Sequence, residues 1–444
     1  MIPLAFDMDR VLADVHWLVE DLGPRAPRSA EEAAAVKGVI ERLKQAGWTI
    51  TPGLKSPLAC RGKGGRLFLA HVDSVPGSPG ALDNAGAVAV LLELARTTTA
   101  RDLCLGFPVQ EEAGLIGSQE LAAAWDDLGL GPLELVVAAE FVGDGSPTAM
   151  DLWSKWGHKE LTWMSTHTDI EMPFRHHLVG RTMPVWRSDH APFAAKNILS
   201  FNLLNRGEYG VHTRYHQASD DTVDPAALRE TAHVFEQMAL APTLHRGDGD
   251  PAFKIGPWVF PGSLTWITIF LGIASGVPGL PRWKQSLADF FRFALATTVA
   301  GLVMGLVSVA GFPIAEAEQT AQHALGVAPS GWWAAAPWSI GAGWITWLFM
   351  WRKLPGEGHP ALPAALLTGV ALCLGPLFAL PFAMAAVAVR IHPLLGLGPA
   401  ILWIQPSVLR EITFHGLAAP WMWPILLIMT WPAFGRIRPH GIHR

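Results

Sequence analysis

The sequence of 444 residues contains only 2 tyrosines and 3 cysteines and has no block of basic residues. Its 33 Lys and Arg are outnumbered by 38 Asp and Glu, which gives a net charge of -5 and argues against nucleic acid as a partner. The cysteines Cys60, Cys104 and Cys373 lie far apart without a CxxC motif, so they are predicted to be buried small side chains and not to form a disulfide. The N-terminal residues lack a basic segment followed by an apolar one, so no signal peptide is expected.

The composition changes near Asp250. Before this residue, charged, polar and apolar residues mix as in a soluble globular protein. After it, apolar runs dominate at 256–280, 287–312, 332–350, 361–389, 393–407 and 417–434, and most of the Trp residues lie there. Several runs reach the ~20 residues that cross a bilayer, and Trp is typical of membrane interfaces. We therefore predict a soluble domain at 1–245, a linker at 246–255, a transmembrane all-α bundle of about six helices at 256–435 and a basic tail at 436–444.

The N-terminal part alternates apolar runs with helical patterns. Four runs are typical of buried strands, at 66–72, 103–109, 134–142 and 197–204. Helical patterns follow Asn84 and Ala113, between the first three of these runs, and two further helices are predicted at about 28–47 and from Pro225. This order predicts an α/β fold with a mixed, largely parallel central sheet flanked by helices.

Acidic and histidine residues cluster where the predicted strands end. They are His71 and Asp73, Asp83, Glu111 and Glu112, Glu140, and His216 after Tyr215. Functional groups in open α/β sheets collect at the carboxyl ends of the strands, so we expect these side chains to converge. A set of imidazoles and carboxylates suits zinc, and manganese or cobalt as substitutes.

Four segments carry a family resemblance. They are AHVDSVPGSPGALDNAGAVAVLLELAR, QEEAGLIGSQELA, RSDHAPF and YHQASDDTV, in that order along the chain. They resemble the M28 family of zinc metallo-aminopeptidases, and the similarity covers about residues 10–240. The resemblance implies the zinc-peptidase type of α/β fold, here in a form with a C-terminal membrane region, and a peptide as the substrate.

The resemblance also implies a metal site with two Zn²⁺ ions. His71 and Glu140 would bind the first ion, Glu112 and His216 the second, and Asp83 would bridge both. The family usually has Asp where this chain has Glu140, so altered metal spacing or substrate preference is expected there.

Roles for the remaining residues follow from the same resemblance. Glu111 would be the general base that takes a proton from a metal-bridging water, and Tyr215 would hydrogen-bond the tetrahedral oxyanion. Asp73 would fix the imidazole of His71, and Arg187 would contact the substrate. Adjacent glutamates suit this chemistry because one can bind metal while the other accepts a proton.

Three other functions stay open. The first is a glutaminyl cyclase-like zinc acyltransferase, which shares the fold but is disfavoured by two complete metal sites. The second is a non-catalytic membrane scaffold with a peptidase fold, which would be expected to lack the base or a ligand. The third is a transporter with an accessory peptidase domain, for which no polar mid-helix residues are found.

Two arguments disagree about the side of the membrane. Without a signal peptide, the N-terminal domain is expected to stay in the cytoplasm of a bacterial cell, at its inner membrane. The positive-inside rule points the other way, because one predicted loop contains Arg282 and Lys284 and another contains Arg352 and Lys353. This rule would place these loops inside the cell and the peptidase outside. We give the missing signal peptide slightly more weight and expect a cytoplasmic active site. The oligomeric state is left open.

Overall fold

The four apolar runs predicted as strands lie in one seven-stranded sheet of the computed structural model. The structure describes residues 6–150, 152, 156–172, 188–206, 214–247, 249–255, 257–274 and 383–384. The sheet consists of β1 (Thr49–Ile50), β2 (Leu58–Arg61), β3 (Gly65–Leu69), β4 (Leu103–Gly106), β5 (Leu133–Glu140), β6 (Ser146–Met150) and β7 (Ser200–Arg206). Each predicted strand is present, with ends that differ by a few residues.

The strand order in the sheet is β1-β2-β4-β3-β5-β7-β6. The four central strands, β4, β3, β5 and β7, run parallel, and β1, β2 and β6 pair antiparallel at the edges. The prediction of a mixed sheet with a parallel centre is therefore confirmed. Because the central strands are parallel, their carboxyl ends share one edge of the sheet.

Eight α-helices accompany the strands in the described part of the chain. They are α1 (Met8–His16), which continues as a π-helical turn (Trp17–Asp21), α2 (Ala30–Gln45), α3 (Gly86–Thr97), α4 (Ile116–Ala124), α5 (His158–His167), α6 (Ala191–Ala195), α7 (Pro225–Leu240) and α8 (Gly262–Ala274). Capping residues explain two of the starts. Ser29 accepts a hydrogen bond from the amide of Glu32 before α2, and Asp224 accepts one from the amide of Ala226 at the start of α7.

Helix α3 is buried from Gly86 to Ala95 and holds the residues before it in place. At Gly86 a Cβ atom would collide with the carbonyl oxygen of Val142, so only glycine allows the helix to approach the end of β5 this closely. The buried carboxylate of Glu93 pairs with Arg10 of α1 at 2.6 Å. The start of α3 is therefore fixed, and this start directly follows Asp83.

The cysteine prediction is wrong for one pair. Cys60 of β2 and Cys104 of β4 lie directly opposite each other in antiparallel register and form a disulfide. They are 44 positions apart in the sequence, and only the pairing of the two strands brings them together. Sequence spacing could not reveal this register. Cys373 lies outside the described residues.

The C-terminal predictions fall mostly outside the described residues. The predicted linker at 246–255 contains β8 (Phe253–Ile255), which forms a hairpin with β9 (Trp258–Phe260). Helix α8 begins inside the first predicted membrane run, and nearly all of the later runs lie beyond what the structure describes. Within the described ranges, no helix combines the length and apolar character needed to cross a membrane.

Candidate active site

The predicted site residues lie on loops at the carboxyl edge of the parallel strands. His71 and Asp73 follow β3, Glu111 and Glu112 follow β4, and Glu140 is the last residue of β5. Asp83 comes from the turn that leads into α3, and His216 from the loop before α7. The convergence expected from the sequence thus follows from the parallel pairing of the central strands.

The carboxylate of Asp83 lies between two imidazoles. Its Oδ1 atom is 3.2 Å from Nε2 of His71, and its Oδ2 atom is 3.3 Å from Nε2 of His216. His216 Nε2 is also 3.1 Å from Oε2 of Glu112. Asp83 therefore occupies the central place that a carboxylate shared by two metal sites needs.

One group of three side chains is close enough to hold a single ion. The ligand atoms of Asp83, Glu112 and His216 all lie within 4.8 Å of one another, and this is the one such group of His, Cys, Asp or Glu in the part of the chain that the structure describes. It corresponds to the bridging ligand and the second predicted site. His71 contacts Asp83, but Glu140 does not join them in a group of the same tightness.

Glu140 is set apart by its surroundings. Its Oε2 atom accepts a hydrogen bond from Nδ2 of Asn202 at 3.3 Å. Burial raises the pKa of Glu140 to about 8, against the opposing charge of His71. The glutamate arm is thus held by a residue of the neighbouring strand β7.

The donor set fits a divalent cation. Two buried carboxylate oxygens, Oε1 of Glu112 and Oε1 of Glu140, have no hydrogen-bond partner among the described residues. A buried polar oxygen without a partner is costly, and a bound cation would remove that cost. Imidazole and carboxylate ligands are those that zinc takes in catalytic sites.

The carboxylate of Asp73 contacts the two glutamates as well as His71. Its Oδ1 accepts the amide of Glu111 at 3.1 Å, and its Oδ2 accepts the amide of Glu112 at 3.0 Å. Nδ1 of His71 is 3.1 Å from the backbone oxygen of Asp73 and 3.5 Å from its Oδ1. Asp73 thus holds the imidazole chiefly through its main chain, and it orients the glutamate pair through its carboxylate.

The titratable groups of the site perturb each other. Burial lowers the pKa of His71, but hydrogen bonds to Asp73 and Asp83 outweigh it and raise this pKa well above its usual value. Similarly, against the effect of burial, hydrogen bonds to Asp83 and Glu112 raise the pKa of His216 to about 9. Desolvation raises the pKa of Glu111 well above that of a free glutamate. A raised pKa makes Glu111 a better proton acceptor than an exposed glutamate.

Tyr215 packs beside the predicted metal ligand His216. Its ring lies 3.6 Å from the ring of His216 and meets Phe141 edge-on at 4.7 Å between centroids. Burial and the negative charges of Asp83 and Glu112 raise the pKa of Tyr215 well above its usual value, so its hydroxyl stays protonated and can donate. Arg187, predicted to contact the substrate, lies outside the described residues.

Two buried charged residues next to the site were not assigned from the sequence. Arg25 donates from its guanidinium to backbone carbonyls, including that of Val72 between His71 and Asp73, at 2.8 Å. Asp220 accepts the amides of Leu82 and Asp83. Asp220 lies in the segment YHQASDDTV, but nothing in the local sequence distinguishes either residue from a surface charge.

Comparisons with known proteins place the site in context. Residues 61–239 match the model of Peptidase family M28. Aminopeptidase YwaD of Bacillus subtilis is 30% identical over 161 residues, which are 34% of this chain and 34% of that relative, so the match spans about a third of the relative's length.

A zinc aminopeptidase from Bacillus subtilis, BSAP, matches with a TM-score of 0.46 and 13% identity, over 55% of this chain and 99% of that one. Porphyromonas gingivalis glutaminyl cyclase matches with a TM-score of 0.42 and 18% identity, over 53% of this chain and 98% of that one. The chain thus carries, over residues 61–239, a domain that matches peptidase family M28.

Proposed function

We propose that the N-terminal domain is a di-zinc metallopeptidase that removes N-terminal residues from peptides. The observation that carries the proposal is the position of the Asp83 carboxylate, 3.2 Å from His71 and 3.3 Å from His216. Glu112 lies beside His216, and Glu111 directly precedes Glu112 in the chain. His71 and Glu140 would hold one ion, Glu112 and His216 the other, and Asp83 would be shared.

The protein side chains have separate tasks in this proposal. When bound, the metal ions would lower the pKa of a bound water to about 7, so that the water can lose a proton and attack a carbonyl carbon. Glu111 takes the proton of the attacking water and passes it to the leaving amine. Tyr215 donates a hydrogen bond from its hydroxyl to the carbonyl oxygen as negative charge develops there. Asp73 keeps Glu111 and Glu112 in fixed relative positions through their amides.

The choice of aminopeptidase rests on the named relative. The curated protein with 30% identity is an aminopeptidase, and this specificity is extended to the present chain as a proposal. A glutaminyl cyclase-like acyl transfer stays the second candidate, because the sequence resemblance leaves it open. The sequence offers a candidate for each of the five ligands of a two-metal site, and this favours the peptidase.

An assay on the purified full-length chain tests the proposal. Aminoacyl chromogenic amides should be hydrolysed, the chelated protein should be inactive, and added zinc should restore activity. The same amides with an acetylated amino group serve as the control and should not be hydrolysed if the enzyme requires a free N-terminus. Cyclisation of a glutaminyl peptide without amide hydrolysis would favour the second candidate. If the chelated protein kept its activity, both metal-dependent functions would be refuted.

We further propose that residues 256–435 anchor the protein in a membrane. The support is the sequence pattern together with large exposed apolar side chains near its start. Trp258 of β9 and Phe270 of α8 are each 70% exposed. Such exposure of large apolar residues is typical of a surface that contacts lipid or protein.

For the side of the membrane, the proposal has a different support. The Cys60–Cys104 disulfide favours an oxidising compartment, because cytosolic thiols are kept reduced in most cells. The charge of the predicted loops supports the same side, since Arg282, Lys284, Arg352 and Lys353 would then face the cytoplasm. We therefore propose an active site outside the cytoplasm, in place of the cytoplasmic side that was expected from the N-terminal sequence.

A further inference from the structure

The main chain that leads to Asp83 is held from two sides. On one side, the buried guanidinium of Arg25 donates to the carbonyl of Pro79 at 2.7 Å and to that of Gly80 at 3.2 Å. On the other side, Asp220 accepts the amides of the next residues. The side chains of Arg25 and Asp220 thus bind the main chain of four of the five consecutive residues from Pro79 to Asp83, and Ser78, Ala85 and Val142 provide further partners within the segment.

Asp220 makes three of these contacts. Its carboxylate accepts the amide of Leu82 at 2.9 Å through Oδ1 and the amide of Asp83 at 3.2 Å through Oδ2. Its backbone carbonyl accepts the amide of Ala81 at 2.9 Å. Its side chain is fully buried, so these hydrogen bonds are shielded from water. The two oxygens of one carboxylate therefore fix the peptide plane from which the Asp83 side chain extends.

The same short segment also delivers His216. Asp220 lies four residues after His216, and its amide donates to the carbonyl of Gln217 at 3.0 Å, which closes the turn between them. His216 reaches the Asp83 carboxylate with its ring, and Asp220 reaches the Asp83 backbone with its side chain. One turn thus sets both where Asp83 lies and which imidazole it meets.

We propose that Asp220 is a positioning residue that places the Asp83 carboxylate between His71 and His216. The inference rests on the proposed function, in which Asp83 is the shared metal ligand. Partners that orient metal ligands typically change metal affinity by about 10- to 100-fold when they are replaced. We expect a change of that size for Asp220, although it touches neither substrate nor the ring nitrogens of the imidazoles.

The alternative is that Asp220 only stabilises the turn. Asp220→Asn separates the two roles, because it keeps the side-chain size and the backbone bonds to Ala81 and Gln217. The amide side chain offers one acceptor oxygen in place of two and turns an N–H group towards a backbone N–H donor. Asp221→Asn is the matched control, since it removes the same charge from the exposed neighbouring residue.

Zinc affinity measured by competition with a chromogenic chelator is the deciding readout. On the full-length protein we expect about 10- to 100-fold weaker zinc binding for Asp220→Asn and less than about 2-fold change for Asp221→Asn. With saturating zinc, kcat should fall more than KM rises, because substrate contacts are unchanged. Circular dichroism and thermal unfolding of the metal-free forms report whether the variants fold.

A second variant covers the case in which Asp220→Asn does not fold. Asp220→Glu keeps both acceptor oxygens but lengthens the arm by one methylene. Its zinc affinity should lie between those of the wild type and Asp220→Asn. If Asp220→Asn does not fold, the zinc affinity of Asp220→Glu should still be below that of the wild type. Wild-type zinc affinity in a folded Asp220→Asn or Asp220→Glu protein would overturn the positioning role. If the wild-type protein itself binds no zinc and hydrolyses no aminoacyl amide, the proposed function fails and the inference falls with it. If the wild type does both and Asp220→Asn behaves like Asp221→Asn, only the inference fails.

Discussion

The carboxylate of Asp73 accepts a hydrogen bond from the backbone amide of Glu112 at 3.0 Å, across 39 positions of sequence. The other oxygen of the same carboxylate accepts the amide of Glu111 at 3.1 Å. The loop after β3 is therefore joined to the loop after β4 by one side chain. This contact sets the relative orientation of a proposed proton acceptor and a proposed metal ligand.

Asp73→Asn should impair catalysis while preserving the fold. An amide side chain has one oxygen and cannot accept both backbone N–H groups, so the glutamate pair loses its fixed geometry. We expect kcat to fall by about 10- to 100-fold, as for other groups that orient metal ligands. Steady-state kinetics with an aminoacyl amide measures the effect. Unchanged kcat in the folded variant would show that the contact is not needed for hydrolysis.

Glu111→Gln and Glu112→Gln should differ in their effect on metal. Glu111→Gln removes a proton acceptor, so hydrolysis should fall by about 10²- to 10⁴-fold while zinc content stays at the wild-type level. Glu112→Gln removes a ligand beside His216, so zinc affinity itself should fall. Each variant is the control for the other, because both replace a carboxylate by an amide at adjacent positions. Wild-type turnover in Glu111→Gln would make the general-base assignment wrong.

The protein should bind two divalent ions per chain. Asp83 contacts both His71 and His216, which is the arrangement of two sites that share a carboxylate. Elemental analysis of the reconstituted protein measures the number, and Glu140→Ala should reduce it to one because it removes a ligand of the first site. One ion in the wild type would favour the cyclase-like function. No bound zinc, manganese or cobalt would contradict the metal site altogether.

Thiol labelling tests the disulfide and with it the side of the membrane. The chain has three cysteines, so the denatured, unreduced protein should take one maleimide label at Cys373 and the reduced protein three. The double variant Cys60→Ser, Cys104→Ser should take one label in both states.

Protease added to sealed, right-side-out spheroplasts should remove the N-terminal domain. Three labels without reduction, together with a protected domain, would favour the cytoplasmic side.

Local sequence patterns determined the elements that carry the site. The apolar runs that became β3, β4, β5 and β7 and the helical pattern of α3 are visible within windows of a few residues, because side-chain alternation and helical periodicity are local properties. His71 and the Glu111–Glu112 pair were predicted because they follow such runs. Parallel pairing of the strands then accounts for their convergence at one edge of the sheet.

Only the tertiary structure decided which polar groups meet within that edge. Asp220 reaches the amide of Asp83 across 137 positions, Asp73 reaches that of Glu112 across 39, and Cys60 meets Cys104 across 44. Such contacts depend on strand register and on how loops pack over the sheet, and neither leaves a periodic signal in the sequence. Asp220 and Asp221 are the same residue type in the sequence. Only the tertiary structure distinguishes them, because Asp220 is buried and holds a backbone amide while Asp221 is exposed.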